Sequence, residues 1–296
     1  MDLGQYFGER KKIVDEALDR YLPGESNFPQ IIFKAVRYSL FAGGKRIRPI
    51  LCMAAAEAVG GTLEGVLPVA CALELIHTYS LIHDDLPSMD NDDYRRGKPT
   101  SHKVFGEAIA VLAGDALLTE AFYLMTKKES AVNVPPSARL EVIHDITKAA
   151  GFFGMVGGQV VDVSCQGKEV DLDTLHYIHS HKTGAMIFVS VKSGAVLSGA
   201  SGRELQALSE YGRDIGLAFQ IADDILDIEG NWELLGKETG VDESRGKITF
   251  PALIGLEKSR RRARDLVEKA VSAISFFDSK AEPLRRIAEF IIERRS

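Results

Sequence analysis

The chain is poor in the features that mark several protein classes. It has three cysteines, one tryptophan and ten prolines among 296 residues. Cys52, Cys71 and Cys165 are odd in number and far apart, so no disulfide framework is expected; inert thiols in a reducing cytoplasm are. No Pro/Gly/Ser-rich linker, repeat or low-complexity tract occurs, so a single domain over residues 1–296 is expected. No long basic face is present and the formal charge is -6, which argues against nucleic acid as a partner. The N-terminus lacks the basic-then-apolar order of a signal peptide. The apolar runs are read as shorter than the roughly 18 residues of a membrane span. The expectation is a cytoplasmic protein with no stable membrane insertion.

What the chain has is apolar residues at helical spacing almost throughout, with little strand-like alternation. The pattern predicts helices near 3–21, 28–41, 49–59, 65–85, 107–127, 137–150, 171–199, 202–228, 250–257, 260–276 and 280–293, with prolines near their ends. The fold class expected is an all-α bundle.

Two of the apolar helices end in aspartates: Asp84-Asp85-x-x-x-x-Asp90 and Asp223-Asp224-x-x-Asp227. Neighbouring carboxylates in apolar surroundings are costly unless cations neutralise them. Hard cations such as Mg²⁺ take carboxylate and phosphate oxygens together. Asp223 and Asp227 are i,i+4 on one helical face. Pro87 disfavours helix at Leu86, so the first helix should end near Asp85 and the following loop can return Asp90 beside Asp84. A single cluster would usually be a solvated helix cap; two of them favour one shared site for several divalent ions.

Basic segments lie around these clusters. Gly43-Gly44-Lys45-Arg46-Ile47-Arg48-Pro49 puts Lys45 and Arg48 near a helix start, a favourable place for an anion. Arg95 and Arg96 follow the first cluster, and Lys237 and Lys247 follow the second. Any one of these segments reads equally well as an exposed basic loop. Together they offer two kinds of cation, metal ions on the aspartates and side chains away from them, which suits two polyanionic substrates. Gly184 and Thr183 interrupt a long helix at His181-Lys182-Thr183-Gly184, where a kink would free backbone carbonyls. His77 lies about two turns before Asp84, on the same face.

These residues resemble the trans-isoprenyl diphosphate synthases. The likeness is carried by Gly43-Gly44-Lys45-Arg46-Ile47-Arg48-Pro49, Leu81-Ile82-His83-Asp84-Asp85-Leu86-Pro87-Ser88-Met89-Asp90, Asp92-Asp93-Tyr94-Arg95-Arg96-Gly97, Gly114-Asp115, Gly157-Gly158-Gln159-x-x-Asp162, His181-Lys182-Thr183-Gly184, Phe219-Gln220-Ile221-Ala222-Asp223-Asp224-Ile225-Leu226-Asp227 and the loop from Gly236-Lys237 to Pro251. It runs from about residue 40 to 255 in the family's order. The resemblance implies an isoprenoid synthase-type helical bundle around a deep central cavity, working as a homodimer. It implies Mg²⁺, with three ions expected beside bound diphosphate, on ligands drawn from Asp84, Asp85, Asp90, Asp223, Asp224 and Asp227. Arg95, Lys182, Lys237 and Lys247 would assist in holding the allylic diphosphate. Lys45, Arg48, His77 and Arg96 would hold isopentenyl diphosphate without metal. Thr183, Gln220 and the Lys182 carbonyl would face a carbocation formed by Mg²⁺-assisted ionisation.

In this family the residues just before the first cluster help set product length; here they are Tyr79 and Ser80. A tyrosine at the cavity floor resembles bacterial farnesyl diphosphate synthases, whereas Gly97-Lys98-Pro99-Thr100 resembles plant-type geranylgeranyl synthases. A C15 product is expected, with C20 the rival. A remote alternative is a di-iron carboxylate oxidoreductase built on Glu74-x-x-His77 and Glu141-x-x-His144. A catalytically silent partner subunit is disfavoured, because all six aspartates are present. Arg294 and Arg295 would close over the isopentenyl site or form a solvated tail.

Overall fold

The computed structural model describes residues 1–127, 134–229 and 248–293. In chain order these form α1 (Leu3–Tyr21), α2 (Gln30–Leu40), α3 (Ile47–Ala58), α4 (Leu63–Asp84), α5 (Ser101–Phe105), α6 (Glu107–Thr126), α7 (Pro136–Ala150), α8 (Met155–Cys165) and α9 (Leu172–Ile178). A π-helical turn, His179–Gly184, leads into α10 (Ala185–Leu197), then α11 (Gly202–Glu229), α12 (Phe250–Ile254), α13 (Leu256–Ala273) and α14 (Glu282–Glu293). A two-residue hairpin, β1 (Tyr94–Arg95) with β2 (Lys98–Pro99), is antiparallel. The expected all-α bundle is what the chain forms.

The bundle is organised around helices that are apolar on every side. From Val69 to Ile76 every residue of α4 is buried, as a helix without a polar face must be. It packs on α3 and α6; α10 lies on α3 and α11; α11 in turn carries α13. Small residues let the backbones approach. A methyl group at Gly194 of α10 would come within 2.0 Å of the Cys52 carbonyl on α3. The fully buried Tyr211 of α11 donates to the Leu284 carbonyl of α14 at 2.6 Å, which ties the C-terminal helix to the core. Among the described residues, the buried apolar side chains other than Ile178 form one cluster from Tyr6 to Ile291.

Several local expectations need correction. The stretch expected as one helix over 171–199 is three segments, because the π-turn inserts an extra residue per turn at His179–Gly184. Helix α8 was not anticipated; its glycines weaken the helical signal. Gly255, at φ 85°, separates α12 from α13, displacing the boundaries expected at 257 and 260. Two helices, Leu63–Asp84 and Glu107–Thr126, are long and apolar enough to cross a membrane, contrary to the expectation of runs too short. The apolar window of α4 is 72% buried inside the bundle, that of α6 only 39%. The difference leaves Val111, Leu112 and Tyr123 exposed on α6.

Candidate active site

The end of α4 is shaped as Pro87 requires. The helix stops at Asp84, and the loop turns back so that the Asp90 amide donates to the Asp84 carbonyl at 2.8 Å. Both carboxylates lie within electrostatic reach of the Lys182 ammonium. Asp85 takes a different course. It is buried, and Arg95 donates to its Oδ1 through Nε at 2.7 Å and Nη2 at 2.6 Å. Burial pushes the Asp85 carboxyl up, and the Arg95 hydrogen bonds and charge only partly offset this. Arg95 is thereby fixed at the rim, with Asp92 3.5 Å from Nη2.

Helix α8 bridges the first cluster and the π-turn. Gln159 Nε2 donates to Asp84 Oδ1 at 3.0 Å, while Asp162 Oδ2 accepts from Lys182 Nζ at 2.6 Å. Burial opposes the Lys182 charge, yet Asp162, Asp84 and Asp90 together hold it above its ordinary value. Across the π-turn, Thr183 Oγ1 donates to Gln220 Oε1 at 2.9 Å, and Gln220 Nε2 donates to Asp224 Oδ1 at 3.2 Å. Asp224 Oδ2 also accepts from His179 Nε2 at 2.8 Å and from the Phe250 amide at 2.9 Å. Asp224 is thus committed to a buried network, whereas its neighbour Asp223 lines the cavity. Asp227, one turn beyond Asp223, is buried at the end of α11.

The second group is basic. Arg46, in the left-handed region at φ 53°, caps the start of α3 and is buried. Its guanidinium contacts Asp15 at 2.8 Å, Glu74 at 2.7 Å and the Leu40 carbonyl at 2.7 Å. That clamp fixes the glycine loop against the start of α3, whose first turn presents Arg48. Arg96, also left-handed at φ 54°, donates to the Gly43 carbonyl and so closes the same loop from the other side. Burial lowers Arg48 from its ordinary value, and Arg96 adds to the effect while Glu74 and Asp223 oppose it. Burial likewise lowers Arg96. His77 is held well below its ordinary value by burial and then by Arg48, Arg96, Arg95 and Arg46. Arg48 Nε is buried with no hydrogen-bond partner among the described residues. Cations crowded together with a donor left over make a site that an anion completes.

Both groups face one cavity of about 680 Å³. Its wall includes Arg48, His77 and Arg96, then Asp84 and Asp223, then Lys182, Thr183 and Gln220. Tyr79 and Ser80 line it as well. The Tyr79 ring stands edge-on to His83 with centroids 5.7 Å apart, and burial and the Asp84 charge push its hydroxyl up to about 12. Lys45 lies at the exposed edge of the glycine loop. Lys237, Lys247, Arg294 and Arg295 fall outside the described residues.

No group of three or more His, Cys, Asp or Glu side chains is placed to hold a metal ion among the described residues. The hard carboxylates come in separate sets, from α4 with its loop and from α11. Such sets suit cations whose coordination phosphate oxygens complete. The two Glu-x-x-His pairs do not form a di-iron centre. Glu74 is paired with Arg46, and the His144 side chain is 74% exposed. Reasoning from sequence also missed Gln159, Asp162, His179 and Arg46 as supports of the site. For the first two, the i,i+3 spacing in Gly157-Gly158-Gln159-x-x-Asp162 was the available signal.

Comparisons with known proteins agree with this architecture. The polyprenyl synthetase family model matches residues 29–283, a wider span than the motifs themselves cover. The chain is 50% identical over 290 residues to a geranylgeranyl diphosphate synthase of Cyanophora paradoxa, covering 98% of this chain and 95% of that protein. It is 49% identical over 294 residues to a farnesyl diphosphate synthase of Geobacillus stearothermophilus, covering 99% and 98%. The crystal structure of an FPP/GFPP synthase from Zymomonas mobilis superposes with a TM-score of 0.89 at 40% identity, covering 98% of this chain and 99% of that one. With the bundle, the paired aspartate-bearing helices and these likenesses in agreement, the chain belongs to the polyprenyl synthetase family.

Proposed function

We propose that the chain condenses isopentenyl diphosphate with dimethylallyl and geranyl diphosphates and releases farnesyl diphosphate. The class, a short-chain prenyltransferase, follows from the family. The observation that carries the two-substrate reading is the single cavity with aspartates on one part of its wall and Arg48, His77 and Arg96 on another.

The allylic diphosphate belongs at the aspartate end. Asp84, Asp90 and Asp223, with Asp227 on the same helical face as Asp223, would hold Mg²⁺. The ion count expected with bound diphosphate is three. The bound metal supplies Lewis-acid stabilisation of the departing diphosphate. Lys182, kept charged by Asp162 and Asp84, lies where it can take a phosphate oxygen. When the allylic C–O bond breaks, the bonding electrons leave with the diphosphate and positive charge develops on the allyl group. Thr183 and Gln220 offer oxygens to that charge, and the π-turn spares backbone carbonyls beside them. Isopentenyl diphosphate sits against Arg48, His77, Arg96 and Lys45, so its double bond attacks the cation from the other end. Diphosphate is the base for the final proton.

Tyr79 closes the floor and supports a C15 product. The 50% identity to a geranylgeranyl synthase keeps C20 as the second reading. The apolar residues exposed on the neighbouring helices α6 and α7 and in the turn between α7 and α8, among them Leu112, Leu140, Phe152 and Phe153, support a homodimer. The single core cluster supports one domain, and the free thiols support the cytoplasm. The test is condensation of isopentenyl with geranyl diphosphate. It should proceed with Mg²⁺ and stop with a chelator; condensation that continues in chelator would overturn the metal role.

A further inference from the structure

We propose that His179 is a positioning residue for the allylic cation, acting through Asp224 to fix the direction in which the Gln220 amide and the Thr183 hydroxyl point. It rests on the reading above that the cation forms beside Thr183 and Gln220.

The argument is one of hydrogen-bond polarity. An ionised carboxylate only accepts. Asp224 is buried and takes three donors: His179 Nε2 at 2.8 Å and the Phe250 amide at 2.9 Å on Oδ2, and Gln220 Nε2 at 3.2 Å on Oδ1. Its acceptor character forces the Gln220 NH₂ towards it and leaves the Gln220 carbonyl directed at Thr183. Thr183 must then donate its proton to Gln220 Oε1, 2.9 Å away. The lone pairs of the Thr183 oxygen are what remain for the cavity. Reversing the amide would make Thr183 an acceptor from Gln220 and turn its hydroxyl hydrogen towards developing positive charge. Among the described residues His179 does not line the 680 Å³ cavity; it lines a smaller adjoining pocket of about 90 Å³ with Asp224, behind Thr183 and Gln220, and supplies one of the two donors that hold Oδ2 and so keep Oδ1 aimed at Gln220. The His179 ring is itself held by the tilted Phe250 ring, with centroids 5.3 Å apart. The relay therefore runs from a buried histidine on the π-turn, through α11, and back to the π-turn.

The test is a double-mutant cycle with geranyl and isopentenyl diphosphates as substrates. His179→Leu should lower kcat about tenfold and leave both KM values within about twofold, because only the orientation of the hydroxyl is lost. His179→Gln, whose amide nitrogen reaches a similar place, should restore kcat to within about threefold of the parent. In a Thr183→Val background, where no hydroxyl is left to orient, His179→Leu should cost less than about twofold. Full additivity in that background, or a His179→Gln variant as slow as His179→Leu, would overturn the relay. A Thr183→Val variant with unchanged kcat would instead remove the placement of the cation, and the proposal with it. Thermal melts accompany each variant. If His179→Leu does not fold, His179→Asn, too short to reach Asp224, takes its place in the cycle.

Discussion

Gly158 of α8 and Lys182 of the π-turn lie back to back: a methyl group at position 158 would sit 2.3 Å from the Lys182 backbone nitrogen. Only because α8 comes this close can Gln159 reach Asp84 and Asp162 reach the Lys182 ammonium. Gly158→Ala should therefore destabilise the fold by about 1–3 kcal/mol, the usual cost of forcing extra volume into a packed contact. It should also lower kcat. Thermal melts and steady-state kinetics check both, and a variant with unchanged melting temperature and rate would mean that α8 yields freely.

Asp84 and Asp223 stand on different helices but face one cavity. Asp84→Asn and Asp223→Asn should each reduce kcat by at least about 10²-fold, since each removes stabilisation of charge that develops on the leaving diphosphate. Either variant at parental rate would exclude that aspartate from the metal site.

The basic group should act on one substrate. Arg48→Gln and Arg96→Gln are expected to raise KM for isopentenyl diphosphate about tenfold to hundredfold, the worth of a hydrogen bond to a charged group. The KM for the allylic substrate should change little. Equal increases for both substrates would contradict separate binding means.

His77 gives a pH signature. In the folded chain it stays neutral to well below the ordinary value of 6.5, first through burial and then through the arginines. As pH falls through 6.5 the unfolded chain gains a proton that the folded chain does not, so stability falls on acidification, and the loss ends once the pH is below the folded value. Denaturant titrations across this window should show a steeper decline for the parent than for His77→Asn. Equal slopes would place His77 in an ordinary environment.

Tyr79 is predicted to limit chain growth. Tyr79→Ala should yield products longer than C15 from the same substrates, measured by product sizing. Unchanged length would make Tyr79 ordinary packing.

Much of the site was legible in the chain itself because its chemistry is local. Asp223 and Asp227 share a face by helical period alone, and Pro87 dictates that the first cluster leaves its helix and returns at Asp90. What was not legible depends on which elements meet. Spacing gives the face that carries Gln159 and Asp162, but not that this face docks on the π-turn. The roles within each aspartate pair were equally hidden. Asp84 and Asp85 are indistinguishable as residues, yet one faces the cavity and the other is taken by Arg95. Asp223 and Asp224 divide in the same way, because adjacent helical positions point about 100° apart. Glu74 and His77 share the spacing of a metal-binding pair, a remote alternative from sequence alone, but Glu74 is taken by Arg46 while His77 faces the cavity.

The central claim is that one cavity holds two diphosphates by different means and stops growth at fifteen carbons. Its most direct test is to incubate the purified chain with Mg²⁺, isopentenyl diphosphate and dimethylallyl, geranyl or farnesyl diphosphate, then size the products. The account predicts farnesyl diphosphate from the two shorter primers and little or no extension of farnesyl diphosphate. A C20 main product would contradict the role given to Tyr79, and no condensation with any primer would contradict the account as a whole.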